Sequence, residues 1–195
     1  MSLGRLRQRI RDTSEITDLA STSRRYFVLG AFDGTLIVLG VVLGAYAAGV
    51  ASEHMEIILF AGLSAAVALS VSSAVGAYEA ERVEKLLSRA SIERALLTDV
   101  SEEQAEVFRF ATLLSALVHA SAPLIAATVP LIPFVIIPDL GMAVLTSVVM
   151  TLSVLFILGA YLGNLVKERV FMTGMRFVLA GLATAVILFA IGMAN

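Results

Sequence analysis

One carboxylate stands inside an apolar run. Asp33 lies between Tyr26 and Val50, in a stretch long enough to cross a bilayer as a helix. A carboxylate in that setting costs roughly 2.5–3.5 kcal/mol on insertion scales, so such acids face a pathway or a partner that compensates them. Asp33 is about seven residues inside the run, ~10 Å along the helix at about 1.5 Å per residue. Gly30 and Gly34 flank it as GxxxG, and Gly40 and Gly44 repeat that spacing. Glycines so placed let another helix approach closely. The combination reads as an ion- or proton-binding group at a helix interface. The plainer reading is an Asp that caps or hydrogen-bonds locally near the membrane surface.

A second titratable group, His119, falls about eleven residues into a later apolar run, near mid-membrane. Histidine titrates near neutral pH, so it is a candidate proton relay. The competing reading is a neutral imidazole bonded to a neighbouring helix, with Ser115, Ser121 and Thr128 sharing the polar contacts. Met142, Met150, Met172 and Met175 read as packing or lipid-facing residues.

The elements that must position these groups are membrane spans. The chain has 195 residues and is 58% hydrophobic, above the ~45–50% usual for soluble domains. Its mean hydropathy is +0.92. The absence of cysteine excludes disulfides, thiolate metal sites and cysteine nucleophiles. No short apolar run with a small-residue cleavage site precedes the first span, which argues against a cleaved signal peptide. Apolar spans are predicted over 26–50, 57–78, 108–136, 142–166 and 172–194. Residues 1–25 form a charged arm, with an amphipathic surface helix over 3–20. Residues 26–195 form the transmembrane domain, which includes a helical cytoplasmic segment over 79–107. In that segment Thr98-Asp99-Val100 breaks the helix, and Ser101 with Gln104 forms a capping box that starts the next.

Lysine and arginine set the orientation. The arm holds Arg5, Arg7, Arg9, Arg11, Arg24 and Arg25; the 79–107 segment holds Arg82, Lys85, Arg89 and Arg94; the fourth connection holds Lys167 and Arg169. The other two connections hold none. The expected fold is an all-α integral membrane protein with five transmembrane helices, a cytoplasmic N-terminus and an external C-terminus. Multi-pass insertion in the cell membrane is the expected location.

The string Gly30-Ala31-Phe32-Asp33-Gly34 resembles the G-x-x-D-G motif of the vacuolar iron transporter family. Ser72 to Tyr78 is similar to that family's S-M-A-x-G-E-Y, and Pro130 to Phe134 to its P-L-L-P-[YF]. Gly181 to Gly192 is similar to its closing G-x-x-A-A…I-G. The resemblance covers residues 24–195 and implies a homodimer with a pathway between the two first helices. It also implies export of a divalent ion, Fe²⁺ or Mn²⁺, in exchange for protons. The ion is substrate; no permanently bound cofactor and no nucleic-acid partner are expected.

Two departures matter. Ser73 stands where the family has Met, and Ala77 where it has Glu. The cytoplasmic segment is about half the family's length and lacks Met. Loss of the soft thioether weakens the case for iron, and the remaining oxygen ligands suit harder ions. Residues four and seven apart share a helix face, so Ser70, Ser73, Ala77, Glu81 and Glu84 form one stripe. Glu81 lies one turn, about 6 Å, nearer the cytosol than the missing Glu. It is placed to receive an ion and pass it to Asp33. Asp33, Glu81 and Glu84 are the candidate metal ligands, with Ser73, Glu79 and His119 along the pathway. Glu79 points almost opposite to Ala77, so it does not substitute for the lost Glu. Glu93, farther along, is expected not to matter. The rival reading of Glu81 is an i,i+4 pair with Lys85 on a solvated helix.

Other classes were weighed. A phosphatidyltransferase needs further spaced aspartates after Asp33-Gly34, and a di-iron enzyme needs Glu-x-x-His pairs; neither occurs. No phosphate-binding glycine loop points to ATP. A non-transporting scaffold or regulatory protein, or a membrane-embedded enzyme of unknown reaction, stays as the alternative.

Overall fold

The computed structural model describes residues 19–96 and 102–193. The expected surface arm falls almost wholly outside those residues, as do the Thr98-Asp99-Val100 break and the Ser101 cap. All regular structure among the described residues is helical: α1 (Leu19–Ala47), α2 (Met55–Leu96), α3 (Glu102–Leu131), the single-turn α4 (Pro133–Ile136), α5 (Leu140–Leu165) and α6 (Val170–Met193). One 3-10 turn, Ser52–His54, precedes α2. Among the described residues five helices are long and apolar enough to cross a membrane. Leu19 to Arg25, expected in the arm, are the first turns of α1. The second span and the helix beyond it are one uninterrupted helix of 42 residues.

Local chemistry sets the helix ends. Gly49, at φ 77°, closes α1. Its N–H donates to the Tyr46 carbonyl at 3.1 Å, while the Val50 N–H donates to Ala45 at 3.2 Å. That paired arrangement satisfies two carbonyls the helix end would otherwise orphan. Asp139 caps α5 by accepting from the Met142 N–H at 2.8 Å. α5 ends as α1 does, but with Lys167 at φ 56° in place of glycine. The third span is not one helix to residue 136. Pro133 has no N–H to continue the ladder, so α3 stops at Leu131 and α4 begins at Pro133. The Ser147 hydroxyl donates to the Pro130 carbonyl at 2.7 Å.

The chain divides into two compact units. One comprises the residues up to Phe27 together with Val71–Ala120. Its buried side chains are small or polar: Ala77, Glu81, Ala111, Thr112, Ser115 and Ala116. The other comprises Val28–Ser70 and Ser121–Asn195. Its core is Val38, Val42, Ile58, Ala66, Ala127, Leu131, Phe134, Leu140, Ala143 and Val144. α5 and α6 pack through glycines: a Cβ on Gly159 would lie 2.7 Å from the Thr173 carbonyl oxygen.

α1 has two faces. Val28, Ala31, Gly34, Thr35, Val38 and Val42 are buried, whereas Leu29, Asp33 and Gly44 are exposed and Gly40 is half-exposed. The two GxxxG pairs therefore separate. Gly30 and Gly34 are buried, and a Cβ on Gly34 would lie 2.6 Å from the Pro123 Cα. At Gly34 the expected close approach of another helix is made within the chain, by α3. Gly44 has nothing within 4 Å of such a Cβ.

Gly34→Ala therefore forces a methyl into the α3 backbone, which cannot yield as a flexible side-chain tip would. We expect a loss of about 1–3 kcal/mol in an unfolding titration in detergent. Gly76→Ala meets nothing within 4 Å and should be neutral or gain up to about 1 kcal/mol from helix propensity. Equal stabilities for the two variants would contradict the backbone contact.

Candidate functional site

Asp33 lies on the open face of α1, on the same side as Gly40 and Gly44. The cause is helical spacing: residues 29, 33, 36, 40 and 44 recur on one side, while 31, 34, 38 and 42 recur on the other. The side that packs within the chain carries no carboxylate.

A second constellation forms where α1, α2 and α3 bring Tyr26, Glu81, Lys85 and His119 together. Glu81 is 3% exposed. A buried carboxylate is tolerated only when it is paired and hydrogen-bonded. Lys85 Nζ lies 3.8 Å from Glu81 Oε2, and the Tyr26 hydroxyl donates to the same carboxylate. The expected Glu81–Lys85 pair thus exists, but on a packed face rather than a solvated one. His119 Nδ1 is 2.7 Å from the Tyr26 carbonyl oxygen. A carbonyl only accepts, so Nδ1 carries the proton and Nε2 is the nitrogen left to exchange one. The Tyr26 and His119 rings lie 5.1 Å apart, and the Arg25 guanidinium sits 5.8 Å from the Tyr26 ring centre. His119 is therefore held beside the start of the apolar run of α1. Its bond to a neighbouring helix is the alternative its sequence position left open.

Glu79 pairs with Arg82 at 3.1 Å on the exposed side of α2, consistent with its near-opposite direction from Ala77. Glu84 is exposed and Ser73 half-buried. The Glu93 side chain lies outside the described residues. Among the described residues no three acidic or histidine side chains come together to hold a metal ion. Within its own unit Glu81 is turned to Tyr26 and Lys85, whereas Glu84 faces outward.

Tyr26 is the member the sequence reading did not single out. Its signal was slight, an aromatic hydroxyl directly after Arg24-Arg25 at the start of an apolar run.

Comparison with known proteins bears on this arrangement. The VIT family model matches residues 24–113 and 101–193. An uncharacterized protein of the archaeon Methanocaldococcus jannaschii is 32% identical over 171 residues, covering 86% of this chain and 87% of that protein.

The Tyr26–Glu81 bond yields a direct expectation. Hydrogen bonds to charged groups contribute about 1.5–3 kcal/mol, so Tyr26→Phe should destabilise the chain by an amount in that range. A double-mutant cycle of Tyr26→Phe with Glu81→Ala, read by unfolding in detergent, should show coupling of about 1 kcal/mol or more. Strict additivity would show that the hydroxyl does not hold the carboxylate.

Proposed function

This chain belongs to the VIT family, a family of membrane metal-ion transporters, and we propose that it exports a divalent cation in exchange for protons. The path is lined by α1 of two copies, and Asp33 is its central group. One observation carries the reading: Asp33 is a solvent-exposed carboxylate within a transmembrane helix, on the same face as Gly40 and Gly44. Against hydrocarbon that carboxylate would be costly. A second copy across a two-fold axis, with water or an ion between, removes the cost. Gly44, open on the same face, lets the two helices approach.

The chemistry follows from the ligands. Two facing carboxylates repel unless a cation or a proton sits between them, so the two ions compete for one place. That competition is what exchange requires. With Ser73 in place of a thioether the donors are oxygen, which favours Mn²⁺, or Fe²⁺ bound through oxygen. Glu81 is assigned to capture of the ion on the side where the basic residues lie, taken as cytoplasmic, with Glu84 exposed beside it on the same helix. His119 Nε2 is assigned to proton transfer there. A purely structural role for Glu81 is the competing reading, favoured by its bonds to Tyr26 and Lys85.

The test is flux into proteoliposomes containing the full chain, with Mn²⁺, Fe²⁺, Mg²⁺ and Ca²⁺ offered in turn, with and without a pH gradient. Wild type should carry Mn²⁺ or Fe²⁺ in a gradient-dependent way, and Asp33→Asn should fall to the background of protein-free vesicles. Glu81→Gln keeps an acceptor for Tyr26 and should lower flux far more than stability. Undiminished, gradient-dependent flux in Asp33→Asn would contradict the mechanism.

A further inference from the structure

Two cavities in the unit containing Val71–Ala120 meet at one side chain, Tyr78. The first, of about 260 Å³, is lined by Arg82, Lys85 and Arg89 of α2, Arg109 and Thr112 of α3, and Tyr78. Among the described residues four cations line it and no acidic side chain does. Glu79 and Glu81 each reach one of those cations from outside the lining, at 3.1 and 3.8 Å. The second, of about 210 Å³, is a shallow groove walled by Ala74, Val75, Leu113, Ala116, Leu117 and Tyr78. Apart from the Tyr78 hydroxyl its walls are hydrocarbon.

The order along the helices gives the pair its meaning. Val75, Tyr78, Arg82, Lys85 and Arg89 recur at spacings of three and four, so one face of α2 changes from apolar to cationic along its length. α3 repeats the change, from Leu117 and Leu113 to Arg109. Tyr78, 40% exposed, stands at the junction. A phenol takes that position at a bilayer interface, with its ring in the apolar layer and its hydroxyl among the headgroups. Val75, Leu113 and Leu117 are each more than half exposed, so the groove is open along its length.

We propose that this face binds one anionic phospholipid. Its phosphate sits among Arg82, Lys85, Arg89 and Arg109, and one acyl chain lies along the groove from Tyr78 toward Ala74 and Leu117. Guanidinium forks match phosphate oxygens in pairs, and basic pockets between transmembrane helices suit such headgroups. A free phosphate would use the cations but has no use for the groove. The collinear groove is why a lipid is the occupant favoured. The proposal does not depend on which ion is carried, although Lys85 also pairs with Glu81.

The test is native mass spectrometry of the full chain in detergent. Dioleoylphosphatidylglycerol, dioleoylphosphatidylcholine and inorganic phosphate are titrated separately. The glycerol lipid should bind about tenfold or more tightly than the choline lipid, given roughly 1 kcal/mol per nearby cation. Arg89→Gln with Arg109→Gln should abolish that preference, while Arg89→Lys with Arg109→Lys should keep most of it. Val75→Trp fills the groove from its exposed side and should weaken the anionic lipid without changing phosphate binding. Thermal unfolding of each variant separates lost binding from lost folding. Equal binding of the two lipids, or an unchanged preference in the folded Gln variant, would overturn the proposal. So would phosphate displacing the lipid while Val75→Trp has no effect, which would mark a free-anion site.

Discussion

A carboxylate on a transmembrane helix must be covered by something other than hydrocarbon, and the design of α1 answers to that constraint. Its buried side carries Val28, Ala31, Gly34, Thr35, Val38 and Val42, none of them charged, and the Thr35 hydroxyl donates to the Ala31 carbonyl at 2.7 Å. Its other side carries Asp33 with Gly40 and Gly44. Had Asp33 been set one position later, it would have met the α3 backbone at Pro123, where even a methyl has no room. Glycine on one face and aspartate on the other are thus a single arrangement. The close contact with α3 fixes how α1 is rotated, and the rotation turns Asp33 outward.

The same economy governs α3. Proline inside a helix removes hydrogen bonds, a cost of about 3 kcal/mol or more when nothing compensates. Here the Pro123 backbone packs against Gly34, and the carbonyl of Pro130 accepts from the Ser147 hydroxyl. In α2 the environment changes along one helix. Near residue 81 the buried stripe passes from small residues to a carboxylate, and that carboxylate is held by Tyr26 and Lys85. A buried pair of this kind is weak evidence for stability, because dehydration of both charges offsets their attraction.

Much of this was legible in the residues. Five spans follow from hydropathy alone, because the bilayer demands length and apolarity and little else. The break at Pro133 was not part of that reading, since the third span was expected to run on to residue 136. The division of labour between the glycine pairs was not legible, since Gly30-x-x-x-Gly34 and Gly40-x-x-x-Gly44 are the same pattern. Only the neighbour of each glycine tells them apart. Nor was the role of Tyr26, whose bond to Glu81 joins residues far apart in sequence. Arg82, Lys85 and Arg89 served in the sequence as markers of orientation; their shared cavity depends on Arg109 from another helix.

The central claim is that the Asp33-bearing face of α1 meets the same face of a second copy. A chain without cysteine tests it without background. Gly44→Cys and Gly76→Cys are placed singly in the full chain, and native membranes are oxidised before denaturing electrophoresis. Both positions are open in the single chain, but only Gly44 shares a face with Asp33. The account predicts a disulfide-linked dimer from Gly44→Cys and none from Gly76→Cys. A Gly44→Cys chain that stays monomeric while Gly76→Cys cross-links would contradict it.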